Sequence, residues 1–300
     1  MSLRDIIADK TSGSTTILNN SIQWLRSSLE KEHKPEIRQL KSDIIRLFKA
    51  HPNFAVLFHF INHFFLALQK SGEEGLLNFV TDYSKKWNES LAGACRNLLL
   101  KEDFRSKKIL VHSNSTAIYE LLKMAVTRAA PAEIYQTLSG PENEGRVQAA
   151  ALGEQGLKVN LIHENTAGKF IENIDFAVFG ADVITEHFFI NKTGTFPLAL
   201  LFNYYHKPVY VIADSRKMLH VSSLPEPVKR MILDESAKPT RELWSDPPAN
   251  VKPVNYWFER TPLELITGLA TNQGFLRPDE VASLVKSSTI SDLLVDELMR

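Results

Sequence analysis

The 300-residue sequence predicts an α/β protein in which an N-terminal helical bundle precedes a Rossmann-like, doubly wound, mainly parallel sheet. Two observations carry this. Through the first hundred residues apolar side chains recur every three or four positions and show little other pattern, as helices with one buried stripe require. From Lys107 onward, short apolar runs of strand length alternate with helical segments, the alternation that builds a parallel sheet covered on both faces.

Taken in order, Leu18, Ile22, Leu25 and Leu29 share one face of a first helix. A second follows Pro35 with Ile37, Leu40, Ile44 and Leu47, and a third follows Pro52 with Phe54, Leu57, Phe58, Ile61, Phe65 and Leu68. A fourth is expected over 76–100, after the turn-like Ser71-Gly72-Glu73. The polar stretch KEDFRSK (101–107) then divides a helical unit, 1–105, from a sheet-containing unit, 106–300. Strands are expected at 109–112, 133–137, 158–163, 176–180 and 209–213, with helices at 116–128, 145–154, 167–173 and 195–206 between them. Four strand-helix-strand repeats imply right-handed crossovers and a doubly wound layout. Residues 221–255 hold Pro225, Pro227, Pro239, Pro247, Pro248 and Pro253 and read as a long loop or arm. Helical spacing returns at 262–271 and at 279–286.

Lys plus Arg number 35 and Asp plus Glu number 35, so no excess of cations is present to neutralise nucleic acid or an anionic membrane. A single cysteine, Cys95, excludes an intrachain disulfide and a cysteine-based metal cluster. The start, MSLRDIIADK, carries charges where a secretory signal needs an apolar core. The most apolar stretch, 54–68, is interrupted by His59, Asn62 and His63 and falls short of the roughly 20 residues a bilayer span needs. A cytoplasmic protein is expected.

Open doubly wound sheets bind ligands beyond the carboxyl ends of their strands. After the first strand, His112-Ser113-Asn114-Ser115-Thr116 enters a helix; its hydroxyls and free N–H groups suit a phosphate or carboxylate, and equally suit simple capping by Ser115 or Thr116. After the fourth strand, Asp182 follows Gly180 and Ala181, placed either for acid-base chemistry or to cap a turn. Next, Asn191, Lys192, Thr193, Gly194 and Thr195 gather an amide, a cation, hydroxyls and a glycine at a helix N-terminus, where an anionic ligand is the natural inference. Walker A and G-x-G-x-x-G spacings are absent. His59 and His63 stand four apart without a third ligand and read as packed or surface histidines, and Cys95 as a small core residue. No metal and no cofactor are expected.

The segment FGADVITEHFFINKTGTFPLALLFNYYHKPVYVIADSRKM (179–218) resembles the signature of the translation initiation factor 2B alpha/beta/delta family, which includes methylthioribose-phosphate isomerase and ribose-bisphosphate isomerase. VNYWFERTPLELITGLATNQGFLRPDEV (254–281) is similar to that family's C-terminal segment. The resemblance implies that isomerase members use a cysteine after the first Rossmann strand together with the aspartate of Gly-Ala-Asp. Asp182 stands at the second of these positions and Ser113 at the first. A thiol ionises near pH 8.5, whereas a serine hydroxyl needs an adjacent base. His112 is next in sequence, but neighbouring residues at a strand end point apart. An Arg-Gly-Ala near the family's N-terminus reads here as Ser12-Gly13-Ser14, and a Thr-Glu-x-Arg-Pro run reads as Thr137-Leu138-Ser139-Gly140-Pro141. Each lost arginine removes a charge-assisted contact of roughly 1.5–3 kcal/mol.

By resemblance, then, the chain is expected to be similar to a regulatory subunit that binds a phosphorylated small metabolite or nucleotide through Asn191, Lys192, Gly194, Thr195, Ser115 and Gly13. The alternative is an aldose-ketose sugar-phosphate isomerase with Asp182 as general acid/base and Ser113 in place of the thiol. A homodimer or assembly with related subunits is implied, and the set Phe188, Phe189, Phe196, Phe202, Tyr204 and Tyr205 would lie in that interface or in the core. No direct nucleic-acid or membrane partner is expected.

Overall fold

The computed structural model describes residues 1–9, 12–33, 35–234, 237–286 and 289–300, without the side chains of 87 and 88. Its first part is helical: α1 (Leu3–Ala8), α2 (Ser14–Leu29), α3 (Ile37–Ala50), α4 (Ala55–Ser71) and α5 (Leu76–Lys101). α3 buries one stripe, Leu40, Ile44, Ile45, Leu47 and Phe48. α4 is the most enclosed, with Phe58, Phe60, Ile61, Phe64 and Phe65 all buried, each such side chain contributing roughly 1.5–3 kcal/mol. Gly72, at φ +61°, ends α4 in a conformation that penalises any other side chain.

The rest of the chain runs β1 (Lys108–Val111), α6 (Thr116–Arg128), β2 (Glu133–Thr137), α7 (Gly145–Glu154), β3 (Val159–Ile162), β4 (Phe176–Phe179), β5 (Val183–Ile184), β6 (Phe188–Lys192), α8 (Thr195–Tyr204), β7 (Val209–Ile212), α9 (Glu226–Leu233), β8 (Phe258–Pro262), β9 (Gly268–Thr271), β10 (Gly274–Leu276), α10 (Pro278–Lys286) and α11 (Asp292–Met299). Seven strands form one sheet in the order β10-β9-β7-β4-β1-β2-β3. All pairs are parallel except β9 with β10. The chain builds outward from β1 through β2 to β3, then returns to β4 on the other side of β1, so the direction of winding reverses between β1 and β4. The central strands FAVF (β4) and VYVI (β7) are buried at every position, as strands covered on both faces must be.

Four stretches differ from expectation. Residues 183–192 and 258–262 form a second sheet, β5-β6-β8, antiparallel throughout and registered with Lys192 opposite Phe258. The helix expected at 262–271 is instead the end of β8, a 3-10 turn at Leu263–Leu265, and β9. There Gly268 lies where a Cβ would stand 2.2 Å from the Phe275 ring, so the glycine allows β9 to close on β10. The helix expected at 167–173 is a pair of 3-10 turns, Glu164–Lys169 and Ile171–Asn173. Within the proline-rich 221–255 stretch, α9 is regular and buries Val228, Ile232 and Leu233.

The apolar core under the N-terminal helices also takes in Leu219, Val221, Leu224, Val228 and Ile232, and Leu294 and Leu298 of α11. Ala94, Cys95 and Leu98, late in α5, pack with Ile109, Val111 and Ile118, so α5 carries packing across the expected 105/106 boundary. Phe189 and Phe202 belong to the core, whereas Tyr204 and Tyr205 are exposed. Among the described residues no helix is long and apolar enough to cross a membrane.

Candidate functional site

Where the winding reverses, the carboxyl ends of β1 and β4 lie side by side, and the crevice beyond them is where such sheets bind ligands. A cavity of about 1220 Å³ opens there. Asp182, Ser113, Asn191, Lys192, Ser115 and Gly13 line it; Gly194 and Thr195 do not.

Asp182 follows β4 and is held in place by its backbone N–H, which donates to Ile190 O at 2.8 Å. Its Oδ1 accepts from Ser14 Oγ at 3.2 Å and lies 3.6 Å from Lys217 Nζ, which also donates to Ala181 O at 2.5 Å. Gly13 is the residue before α2, and Ser14, Thr15 and Thr16 line the cavity with it, so the N-terminus of α2 faces the carboxylate's side of the site. A carboxylate between a cation and a helix N-terminus can exchange a proton with a bound polyol or hold its hydroxyls.

Ser113 occupies the turn after β1 at φ +73°. Its Oγ donates to Glu144 Oε1 in a short hydrogen bond, and the same oxygen accepts from Asn114 N at 3.1 Å. Sequence reasoning missed this carboxylate, which arrives from the loop after β2. His112 is fully buried; burial depresses its basicity, and its ring nitrogens are engaged by Thr137 Oγ1 at 2.6 Å and Thr193 O at 3.0 Å. It is committed away from Ser113. Ser115 takes the capping role: its Oγ accepts from Ile118 N at 3.5 Å, and its own N–H donates to Gln148 Oε1 at 2.6 Å.

Lys192 differs from the expected bare cation. Its side chain is 2% exposed, and Nζ donates to Glu142 Oε2 at 3.0 Å and Glu144 Oε2 at 3.5 Å. It also sits 5.5 Å from the centre of the Trp257 ring. The ammonium remains on the cavity wall, but its charge is already met by two carboxylates.

The α8 N-terminus corrects a second expectation. Gly194 N and Phe196 N both donate to Glu259 Oε1, at 2.7 and 2.8 Å, so the anion at this terminus is the chain's own β8 carboxylate. Burial raises the Glu259 carboxyl above its ordinary value, against the opposing pull of those N–H groups. Gly194 has φ +107°, and a Cβ there would stand 2.9 Å from the His112 ring. Thr195 Oγ1 accepts from Asn191 Nδ2 at 2.9 Å and donates to Lys192 O at 2.6 Å, bracing the two residues that do face the cavity.

His59 and His63 stack at 4.2 Å between ring centres, and His59 Nδ1 pairs with Tyr83 OH at 2.9 Å. Among the described residues no group of three or more His, Cys, Asp or Glu is placed to hold a metal ion. Cys95 is buried, and burial pushes its thiol up to about 12. Glu142 and Glu144 were within reach of sequence reasoning, had the carboxyl-end rule been applied to the second strand as it was to the first and fourth. For Glu259 no local signal exists.

The chain is 29% identical over 171 residues to the ribose 1,5-bisphosphate isomerase of Methanocaldococcus jannaschii, covering 57% of this chain and 54% of that protein. It is 30% identical over 181 residues to the translation initiation factor eIF2B subunit alpha of Dictyostelium discoideum, covering 58% and 56% respectively. The chain thus spans a little over half the length of these curated relatives. The crystal structure of the Pyrococcus horikoshii OT3 translation initiation factor eIF-2B shares the fold, with a TM-score of 0.75 at 22% identity over 92% of this chain and 95% of that one. A model of the Initiation factor 2 subunit family matches residues 5–278, and the chain, with its switch-point cavity and its Gly-Ala-Asp turn, belongs to that family.

Proposed function

We propose that the chain binds a phosphorylated small metabolite or nucleotide in the switch-point cavity and acts as an initiation factor 2B alpha/beta/delta subunit-like protein without isomerase turnover. The observation that carries this is buried Lys192 in the lining of the cavity, sharing Glu144 with Ser113, a serine where the isomerases of the family are expected to hold a thiol. Asn191, Ser115 and the α2 N-terminus at Gly13 line the same cavity and supply neutral donors to an anionic ligand. The same proposal includes a cytoplasmic protein that works as a homodimer or beside related subunits.

A second reading is supported by one contact. The Ser113 hydroxyl has a carboxylate acceptor in Glu144, the base whose absence would otherwise leave a serine inert. With Asp182 across the cavity, that pair has the parts for proton transfer between the first two carbons of an aldose phosphate.

One experiment separates the two. Thermal unfolding is followed with ribose 1,5-bisphosphate, methylthioribose 1-phosphate and nucleoside monophosphates, and each stabilising compound is assayed for isomerisation. Stabilisation of about 2.7 kcal/mol at 100 times Kd, without turnover, is the expected outcome. Turnover that disappears in Asp182→Asn decides for the isomerase, and the absence of any stabilisation overturns phosphate binding altogether.

A further inference from the structure

Lys192 is too deeply buried to stand without an anion, since an unpaired interior charge costs several kcal/mol. The loop after β2 supplies two carboxylates, and they are held differently. Glu144 serves three donors: Ser113 Oγ, Asn114 N and, at the longer 3.5 Å, Lys192 Nζ. Glu142 makes the closer contact with Lys192, 3.0 Å, yet that is its one hydrogen bond among the described residues. Its side chain is 32% exposed. Withdrawing Glu144 would strand a hydroxyl and a backbone N–H. Withdrawing Glu142 leaves the ammonium with only its longer contact to Glu144, and a ligand can restore the close one.

The backbone beneath them is fixed. Ser139 N and Gly140 N donate to the Glu164 carboxylate at 3.1 and 2.9 Å, and Gly145 N donates to Leu138 O at 3.1 Å. Glu142 can therefore turn outward as a side chain while the loop stays in place.

We propose that Glu142 is a displaceable internal anion seated on Lys192, so that a phosphorylated ligand binds by exchange with it. This rests on the reading that the cavity takes a phosphorylated metabolite, and it adds the residue that sets the threshold for entry. The ammonium keeps one close anion before and after exchange, so the process never exposes a bare interior cation. The competitor is a monoanion, so exchange favours a ligand that brings more charge and more acceptors than a carboxylate. A phosphate monoester meets that condition at neutral pH. Glu142 thus discriminates between phosphorylated and merely carboxylated metabolites of the same size.

The test is calorimetric titration of the whole chain with ribose 5-phosphate and, separately, with ribonate. The proteins are the natural sequence, Glu142→Gln, Glu142→Ala and Glu120→Gln. Glu120 lines the same cavity but pairs with Lys123 at 3.9 Å, so it controls for the general field. Removal of the competitor is expected to tighten ribose 5-phosphate by about tenfold in both Glu142 variants. Ribonate is expected to gain at least as much, which narrows the preference, while Glu120→Gln changes either affinity less than about twofold. Ribose 5-phosphate binding that is equal in the natural sequence and both Glu142 variants overturns the exchange and leaves the proposed function standing. Equal tightening by Glu120→Gln overturns it as well, because the effect would then be net charge. Failure of all four proteins to bind either compound overturns the exchange, and the thermal-unfolding screen above, with its own compounds, decides the proposed function separately.

Discussion

The helix after β1 and the helix after β6 begin with similar chemistry and end in opposite arrangements. Both follow a strand through a turn with positive φ, at Ser113 (+73°) and Gly194 (+107°); an anionic ligand was the expectation at α8, and either a ligand or simple capping at α6. At α8 the anion is internal: one Glu259 oxygen accepts from Gly194 N and Phe196 N. At α6 the turn opens on the cavity, and the carboxylate that reaches it, Glu144, is shared with Lys192 and a side-chain hydroxyl. A hydroxyl-rich, glycine-containing turn before a helix shows that negative charge belongs there. It does not show whether the charge comes from solution or from the same polypeptide.

The strongest way to break this contrast is Glu259→Ala, which leaves two N–H groups of a partly buried terminus without an acceptor. We expect a loss of about 2–4 kcal/mol, read from urea unfolding. A loss below about 1 kcal/mol would mean that solvent replaces Glu259 and that the α8 terminus is as open as that of α6. Exchanging the turn residues sharpens the comparison. Gly194→Ala forces a Cβ into the left-handed region and against the His112 ring, and is expected to cost about 1–3 kcal/mol. Ser113→Gly relieves an unfavourable φ and removes a hydroxyl, with a net change of less than about 1 kcal/mol in either direction.

The smallest effect concerns the ring beneath both turns. His112, like His59 and His63, is held below the ordinary histidine range chiefly by burial. As pH falls below about 6.5 the unfolded chain takes up protons that the folded chain refuses, so stability declines until the depressed folded values are reached. One refused proton is worth about 1.4 kcal/mol per pH unit. Glu259 acts in the opposite sense, because its raised carboxyl accepts a proton first in the folded state. Three histidines against one carboxyl give a falling Tm between pH 7 and 5.5, and a flat profile would contradict the buried, neutral state of His112.

The five parallel strands β1, β2, β3, β4 and β7 were legible because each is a short apolar run flanked by helical spacing, and β2 matches its expected span residue for residue, whereas β9 and β10 were not. The second sheet was not legible. Its strands read FFINK and FERTP, in which polar residues are buried by pairing rather than by apolar contact, so Lys192 looked like a loop cation. In 262–271, Leu263, Ile266 and Leu269 repeat at a helical interval although the chain makes only a 3-10 turn at Leu263–Leu265 and then becomes β9, because pairing of β9 with β7 overrides the spacing. Asp182 and Ser113 were singled out by the rule that ligands bind just beyond the strand ends, and Lys192 by its place before a helix. Glu144, 31 residues from Ser113, lay within reach of the same rule, but nothing local in the sequence marks that Glu259 meets Gly194, 65 residues away.

The cavity's walls come from distant parts of the polypeptide. The first turn of α2 and the bend around Lys49, His51 and Phe54 form one side, and the ends of β1, β4 and β6 form the other. A chamber made of two opposed surfaces has a volume only while they are docked, so any occupant acts as a strut between the helical layer and the sheet. α5 has its first part in the core of the helical layer and its last part in a core of the sheet, so this one helix joins the same two layers that the cavity separates.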